Sequence, residues 1–164
     1  MTAAATAQGA ERPRMGAAVV WLLALMVFIN YVDRGNLATA SKQIGEELRL
    51  NNTQIGVLLS AFFWTYVPAQ PITGWLSERI SAYVTLGLGL ALWSAATALT
   101  GLAHTFSMLL GLRLLLGVGE SVAFPCSSRL FGRHLPHERL GWANGLVGSA
   151  WRWGRRSAPS SGRL

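Results

Sequence analysis

Apolar residues in this chain run in blocks, not in alternation. Residues 16–40, 53–76, 82–103 and 106–128 form four such blocks. A membrane-crossing helix needs about 20 predominantly apolar residues, and each block is long enough. A fifth block starts at residue 140 and gives out by residue 150. No stretch shows the period-two alternation of a half-buried strand. The pattern predicts an all-α, polytopic transmembrane helix bundle with four complete spans and an incomplete fifth. A polar connector with Lys42, Glu46, Glu47 and Arg49 joins the first two blocks. Residues 77–81 form a short loop, His104 and Thr105 a minimal turn, and Arg129 to Arg139 a basic loop. His104, His134 and His137 stand without ligand partners in the sequence and read as solvated.

Finer features refine the blocks. Asn52 is a candidate N-cap for the second span, although Asn51-Asn52-Thr53 also fits a glycosylation sequon. Pro68 and Pro71 suggest a bend in that span's second half. Gly87, Gly89, Ala91, Ala95 and Ala96 would let the third span approach a neighbour closely.

Composition supports the membrane reading. The chain is 51% hydrophobic and only 13% charged; soluble domains are about one quarter charged. Its net charge of +7 could point to nucleic acid. Yet Lys and Arg avoid the blocks, except at Arg34 and Arg113, so no nucleic-acid partner is expected. The bases lie at the N-terminus, in the loops and in the tail. Arg12, Arg14, Arg79, Arg129, Arg133 and Arg139 fall on one side, Lys42 and Arg49 on the other. That asymmetry predicts a multi-pass protein of the cell inner membrane with a cytoplasmic N-terminus. Ala38-Thr39-Ala40 could mimic a signal-peptide cleavage site, but the three apolar blocks that follow argue against secretion. The single cysteine, Cys126, excludes an internal disulfide and a cysteine-based metal site and reads as a small buried hydrophobe. No metal or other cofactor and no enzymatic chemistry are expected.

Residues 1–15 read as a cytoplasmic lead. Residues 151–164 form an aberrant basic tail rich in Arg, Ser, Pro and Gly, which suggests a truncated or frameshifted reading frame. A genuine basic cytoplasmic tail is the rival reading.

The charges inside the blocks carry the chemistry. Ionisable groups within a membrane span are costly and usually face a bundle interior or a wet cavity. Counted from residue 16, Asp33 and Arg34 lie roughly 25 Å along the first span. Counted from Phe106, Arg113 lies roughly 10 Å and Glu120 roughly 21 Å down the fourth. Arg113, Gly117 and Glu120 share one face by helical spacing. Two buried guanidiniums repel unless an anion sits between them, and each offers a planar fork that fits a carboxylate. Tyr31, Tyr66 and Gln70 could add neutral hydrogen bonds. Asp33 and Glu120 keep an empty site near neutrality. An anion that takes over the arginines removes the acids' partners, which couples anion to proton. The alternative is a helix lock of salt bridges, Asp33 with Arg113 or Arg34 with Glu120.

These residues also carry a resemblance. Tyr31-Val32-Asp33-Arg34-Gly35-Asn36-Leu37 resembles the first helix of the anion:cation symporters within the major facilitator superfamily. Arg113-Leu114-Leu115-Leu116-Gly117 and Glu120 to Pro125 are similar to its fourth helix, and Pro136 to Arg139 to the loop that follows. Gly74 to Arg79 resembles the conformational loop between helices two and three. There the usual Asp is Glu78, the usual Gly is Ser81 and the usual second base is Tyr83. The resemblance implies a twelve-helix fold built from inverted three-helix repeats. It implies substrate contacts at Tyr31, Arg34, Tyr66 and Arg113 and proton handling at Asp33 and Glu120. It implies a loop motif at Gly74, Glu78 and Arg79. The function implied is the N-terminal part of a secondary active transporter, a proton-coupled symporter of an organic anion such as a sugar acid. Its partners would be that anion, protons, the lipid bilayer and a missing C-terminal half. Other readings are an inactive truncated membrane product and a short four-helix dimeric exporter.

Overall fold

The computed structural model describes residues 17–135, 140–142 and 145. Five helices follow one another: α1 (Ala17–Glu47), α2 (Asn52–Arg79), α3 (Ala82–Thr100), α4 (Phe106–Glu120) and α5 (Ala123–His134). Four helical stretches are long and apolar enough to cross a membrane, α4 and α5 together forming the fourth. The all-α membrane architecture read from the apolar blocks is therefore present.

The helix ends differ from the apolar boundaries. α1 runs on through Ser41 to Glu47, where a connector was expected. Lys42, Gln43, Glu46 and Glu47 are good helix formers, so the helix outlasts its apolar segment. It closes in a Schellman-type turn: Leu50 N–H donates to Gly45 O at 2.8 Å and Arg49 N–H to Glu46 O at 3.4 Å. Arg49 occupies the left-handed position there, with φ 52°. Asn51, not Asn52, caps α2. Its Oδ1 accepts from Gln54 N–H at 2.8 Å, while Gln54 Oε1 accepts from Asn51 N–H at 3.0 Å. This reciprocal pair is a capping box. α2 continues as one helix through Pro68 and Pro71. Thr105 caps α4 by accepting from Met108 N–H. A turn at Ser121 and Val122 separates α4 from α5, so Arg129, Arg133 and His134 lie on helix, not in a loop.

α4 is the centre of the bundle. It packs most closely on α2 and α3, whereas α1 touches its neighbours sparsely. Glycine makes the close crossings. A Cβ at Gly117 would strike Phe62 O and Thr65 Oγ1 of α2. One at Gly119 would lie 2.8 Å from the Trp93 nitrogen of α3. Thr65 Oγ1 donates to Leu114 O at 2.7 Å across the first crossing. Of the small residues in α3, Gly89 and Ala96 are buried, while Gly87, Ala91 and Ala95 face outward. Cys126 is fully buried. Outside the bundle, Trp21, Leu22, Leu25, Phe63, Trp64, Val67, Ile72 and Leu88 are exposed apolar side chains, as lipid-facing positions require. An apolar groove of about 810 Å³ runs between α1 and α3, with Asp33 and Trp93 in its lining.

The expected lead at 1–15, the Pro136–Arg139 motif and the tail at 151–164 lie outside the described residues. Of the fifth block, Leu140, Gly141, Trp142 and Gly145 are helical. Trp142 meets Trp21 of α1 edge-on, ring centres 6.4 Å apart.

Candidate functional site

Arg34 projects from the middle of α1 toward α2 and α4. Its Nε donates to Glu120 Oε2 at 2.9 Å, and the Glu120 side chain is fully buried. Three rings surround the guanidinium: Tyr66 at 4.3 Å, Phe62 at 4.5 Å and Tyr31 at 5.1 Å from its carbon. Phe62 and Tyr66 sit one turn apart on α2 and stack with centroids 5.0 Å apart. Such faces attract a cation, and the attraction grows as water is excluded. Arg34, Tyr31, Tyr66 and Glu120 therefore meet in one cluster. Of the two locks considered from the sequence, the Arg34–Glu120 pair is the one that forms.

Asp33 turns the other way and takes a partner that the sequence did not suggest. Trp93 Nε1 of α3 donates to its Oδ2 at 2.8 Å. Arg113 is buried on the same α4 face as Glu120, within electrostatic reach of Glu120 and Asp33 but without a direct pair to either. Gln70 is half-buried on α2 and gives only its carbonyl to Thr73.

The cluster has spare hydrogen-bonding capacity. Arg34 Nη2, Arg113 Nε and Glu120 Oε1 are buried without a partner among the described residues. So is Asn30 Nδ2, one turn before Arg34 on α1. Buried polar groups are normally satisfied, so these are open positions for an incoming polar molecule. Two donors from arginine and one from an amide suit an anion; the free carboxylate oxygen suits a hydroxyl or a proton.

Phe62 and Trp93 are not marked by the sequence, and Asn30, which opens the stretch that runs to Leu37, has no separate role assigned from it. Phe62 was accessible from its spacing, four residues before Tyr66 on one helical face. Trp93 carries no such signal, because its block has no charge to mark a polar face.

The loop motif lies elsewhere, at the far end of α2. Glu78 pairs with Arg129 of α5 at 3.1 Å, Arg79 sits over the Trp75 ring at 5.2 Å, and Gly74 borders Pro125. Tyr83, at the start of α3, places its hydroxyl 3.1 Å from His134 Nε2 on α5. These contacts tie the ends of α2 and α3 to α5, and they do not reach Arg34.

Four apolar spans around a buried acid–base cluster define a multi-pass membrane protein with an internal polar site. The sequence profile described as Major Facilitator Superfamily matches residues 23–162, and the chain belongs to that superfamily. It is 36% identical over 141 residues to a probable sulfoacetate transporter of Cupriavidus necator, covering 86% of this chain and 33% of the relative. It is 39% identical over 124 residues to the D-galactonate transporter of Escherichia coli O6:H1, covering 73% and 29%. It is 33% identical over 138 residues to a probable galactarate/D-glucarate transporter of Bacillus subtilis, covering 80% and 30%. The chain thus spans about a third of the length of these curated relatives.

Proposed function

We propose that the chain is the N-terminal part of a secondary active transporter that carries an organic anion, such as a sugar acid or a sulfonate, together with protons. It would sit in the cell inner membrane with its N-terminus in the cytoplasm. Tyr31, Arg34, Tyr66 and Arg113 bind the anion; Asp33 and Glu120 handle the proton; Gly74, Glu78 and Arg79 belong to a conformational loop. One observation carries the reading: Arg113 is buried and Arg34 half-buried, and each holds a buried donor nitrogen without a partner among the described residues, beside the buried Glu120. Charge of this kind inside a membrane bundle is retained mainly for transport. The relatives' names agree in substrate class, since sulfoacetate, galactonate and glucarate are all anions.

The mechanism follows from the geometry. An entering carboxylate or sulfonate competes with Glu120 for the Arg34 fork. Glu120 then loses its partner in a dry site, and protonation removes the cost of an isolated charge. Release of the anion lets the pair re-form and the proton leave.

The test uses a completed protein, this chain joined to the remaining two thirds of the D-galactonate transporter. In proteoliposomes it should accumulate labelled D-galactonate when a proton gradient is imposed. Glu120→Gln should still exchange substrate across the membrane but lose gradient-driven accumulation. Retained accumulation would remove Glu120 from the coupling and leave Asp33 to carry the proton. Uptake indifferent to the proton gradient in the unsubstituted protein would overturn symport.

A further inference from the structure

We infer that Trp93 is a positioning residue of the anion site, fixing the rotation of α1 through the Asp33 carboxylate so that Arg34 faces Glu120. The inference rests on the transport reading above for its consequence, but its geometry stands apart from it.

α1 is apolar on nearly every side. Trp21, Leu22, Leu25, Phe28, Ile29 and Val32 are exposed, while Val20, Leu23, Met26 and Val27 are buried. In lipid such a helix gains little by presenting one face over another, because the surroundings are as apolar as the bundle. Its packing on the other helices is also sparse. Packing of the buried stripe at Val20, Leu23, Ala24, Val27 and Leu37 turns one face inward, and two adjacent polar residues add direction to it. Consecutive side chains on a helix point roughly 100° apart. Asp33 is held toward α3 by the Trp93 N–H, and Arg34 is held toward α4 by Glu120.

The two pins are not equivalent. The Arg34–Glu120 pin is the one an anion would break. The Trp93–Asp33 pin remains while the arginine is engaged. Trp93 is itself well anchored: its side chain is buried, and Gly119 of α4 packs against its backbone nitrogen. Gly119 is also the residue next to Glu120. The indole and the acid are thus carried on one rigid contact between α3 and α4, and α1 is registered against both.

Trp93→Phe keeps an aromatic ring and deletes the donor. In the completed protein, equilibrium binding of D-galactonate should weaken roughly tenfold, the size expected when a hydrogen bond to a charged group is lost. In an Asp33→Ala background the same substitution should cost nothing further, because the pin is already gone. Unchanged affinity in Trp93→Phe, or an equal loss in both backgrounds, overturns the inference and leaves Trp93 as packing alone. A second measurement needs no anion. The chain itself, in lipid nanodiscs with 5-fluorotryptophan at its seven tryptophans, gives a fluorine spectrum. The Trp93 line is assigned from whichever of the Phe or Tyr variants folds. Asp33→Ala should move that line, and a stationary line overturns the pin. If the unsubstituted completed protein fails to bind D-galactonate, the transport reading fails, and the fluorine spectrum still decides Trp93.

Discussion

Arg34 donates to Glu120, faces three aromatic rings and keeps a buried nitrogen, Nη2, without a partner among the described residues. That combination separates a binding group from a lock by experiment. Arg34→Met alone leaves Glu120 buried and unpaired, and should lower stability by about 3–5 kcal/mol. Pairing it with Glu120→Leu should restore most of that loss in chemical denaturation of the detergent-solubilised chain. The restored double variant of the completed protein should nevertheless fail to take up D-galactonate. Normal uptake would reduce the pair to a structural lock. Arg34→Lys keeps charge but loses the fork, and should weaken uptake strongly with normal membrane insertion. The four charges inside the spans, Asp33, Arg34, Arg113 and Glu120, stand out in the sequence, because intramembrane charge is rare. Their partners were far less visible. Asp33 and Arg34 are neighbours in sequence but point to different helices, and nothing local says that an indole on α3 will take the acid.

Helix identity was legible and helix ends were not. Hydropathy marks where lipid stops, while the helix stops where its backbone finds a cap. α1 therefore crosses Ser41 to Glu47 and ends at the turn around Arg49. A left-handed residue with a side chain is strained, so Arg49→Gly should stabilise the chain slightly, by no more than about 1 kcal/mol in a denaturant melt. A loss of stability would mean that the Arg49 side chain matters more than its backbone. Gly117 gives the opposite expectation. The atoms that a Cβ would strike include the Phe62 carbonyl, which cannot move aside as a side chain could. Gly117→Ala should cost about 1–3 kcal/mol and push α2 from α4. Because α2 carries Phe62 and Tyr66, the same change should disturb the aromatic faces around Arg34. The sequence placed Gly117 on the charged face but could not show that the second helix fills the space there.

At the scale of the whole molecule, the Arg34 cluster has α1 on one side and α2 and α4 on the other, in a chain about a third as long as its relatives. This polypeptide alone should insert into proteoliposomes but show no anion-driven proton flux. Saturable, gradient-driven uptake by it alone would favour a dimer over an N-terminal part. The sparse packing of α1 has a further consequence for biosynthesis. Its pinning acid, Glu120, lies 86 residues downstream of Arg34. At about 5–20 residues per second a ribosome needs roughly 4–17 s to make that stretch. During that interval the first helix is already synthesised, yet the acid that orients Arg34 does not exist. The nascent chain must keep Arg34 solvated or shielded by adjacent Asp33 until the fourth span arrives, so α1 completes its polar contacts only after α3 has supplied Trp93 and α4 has supplied Glu120.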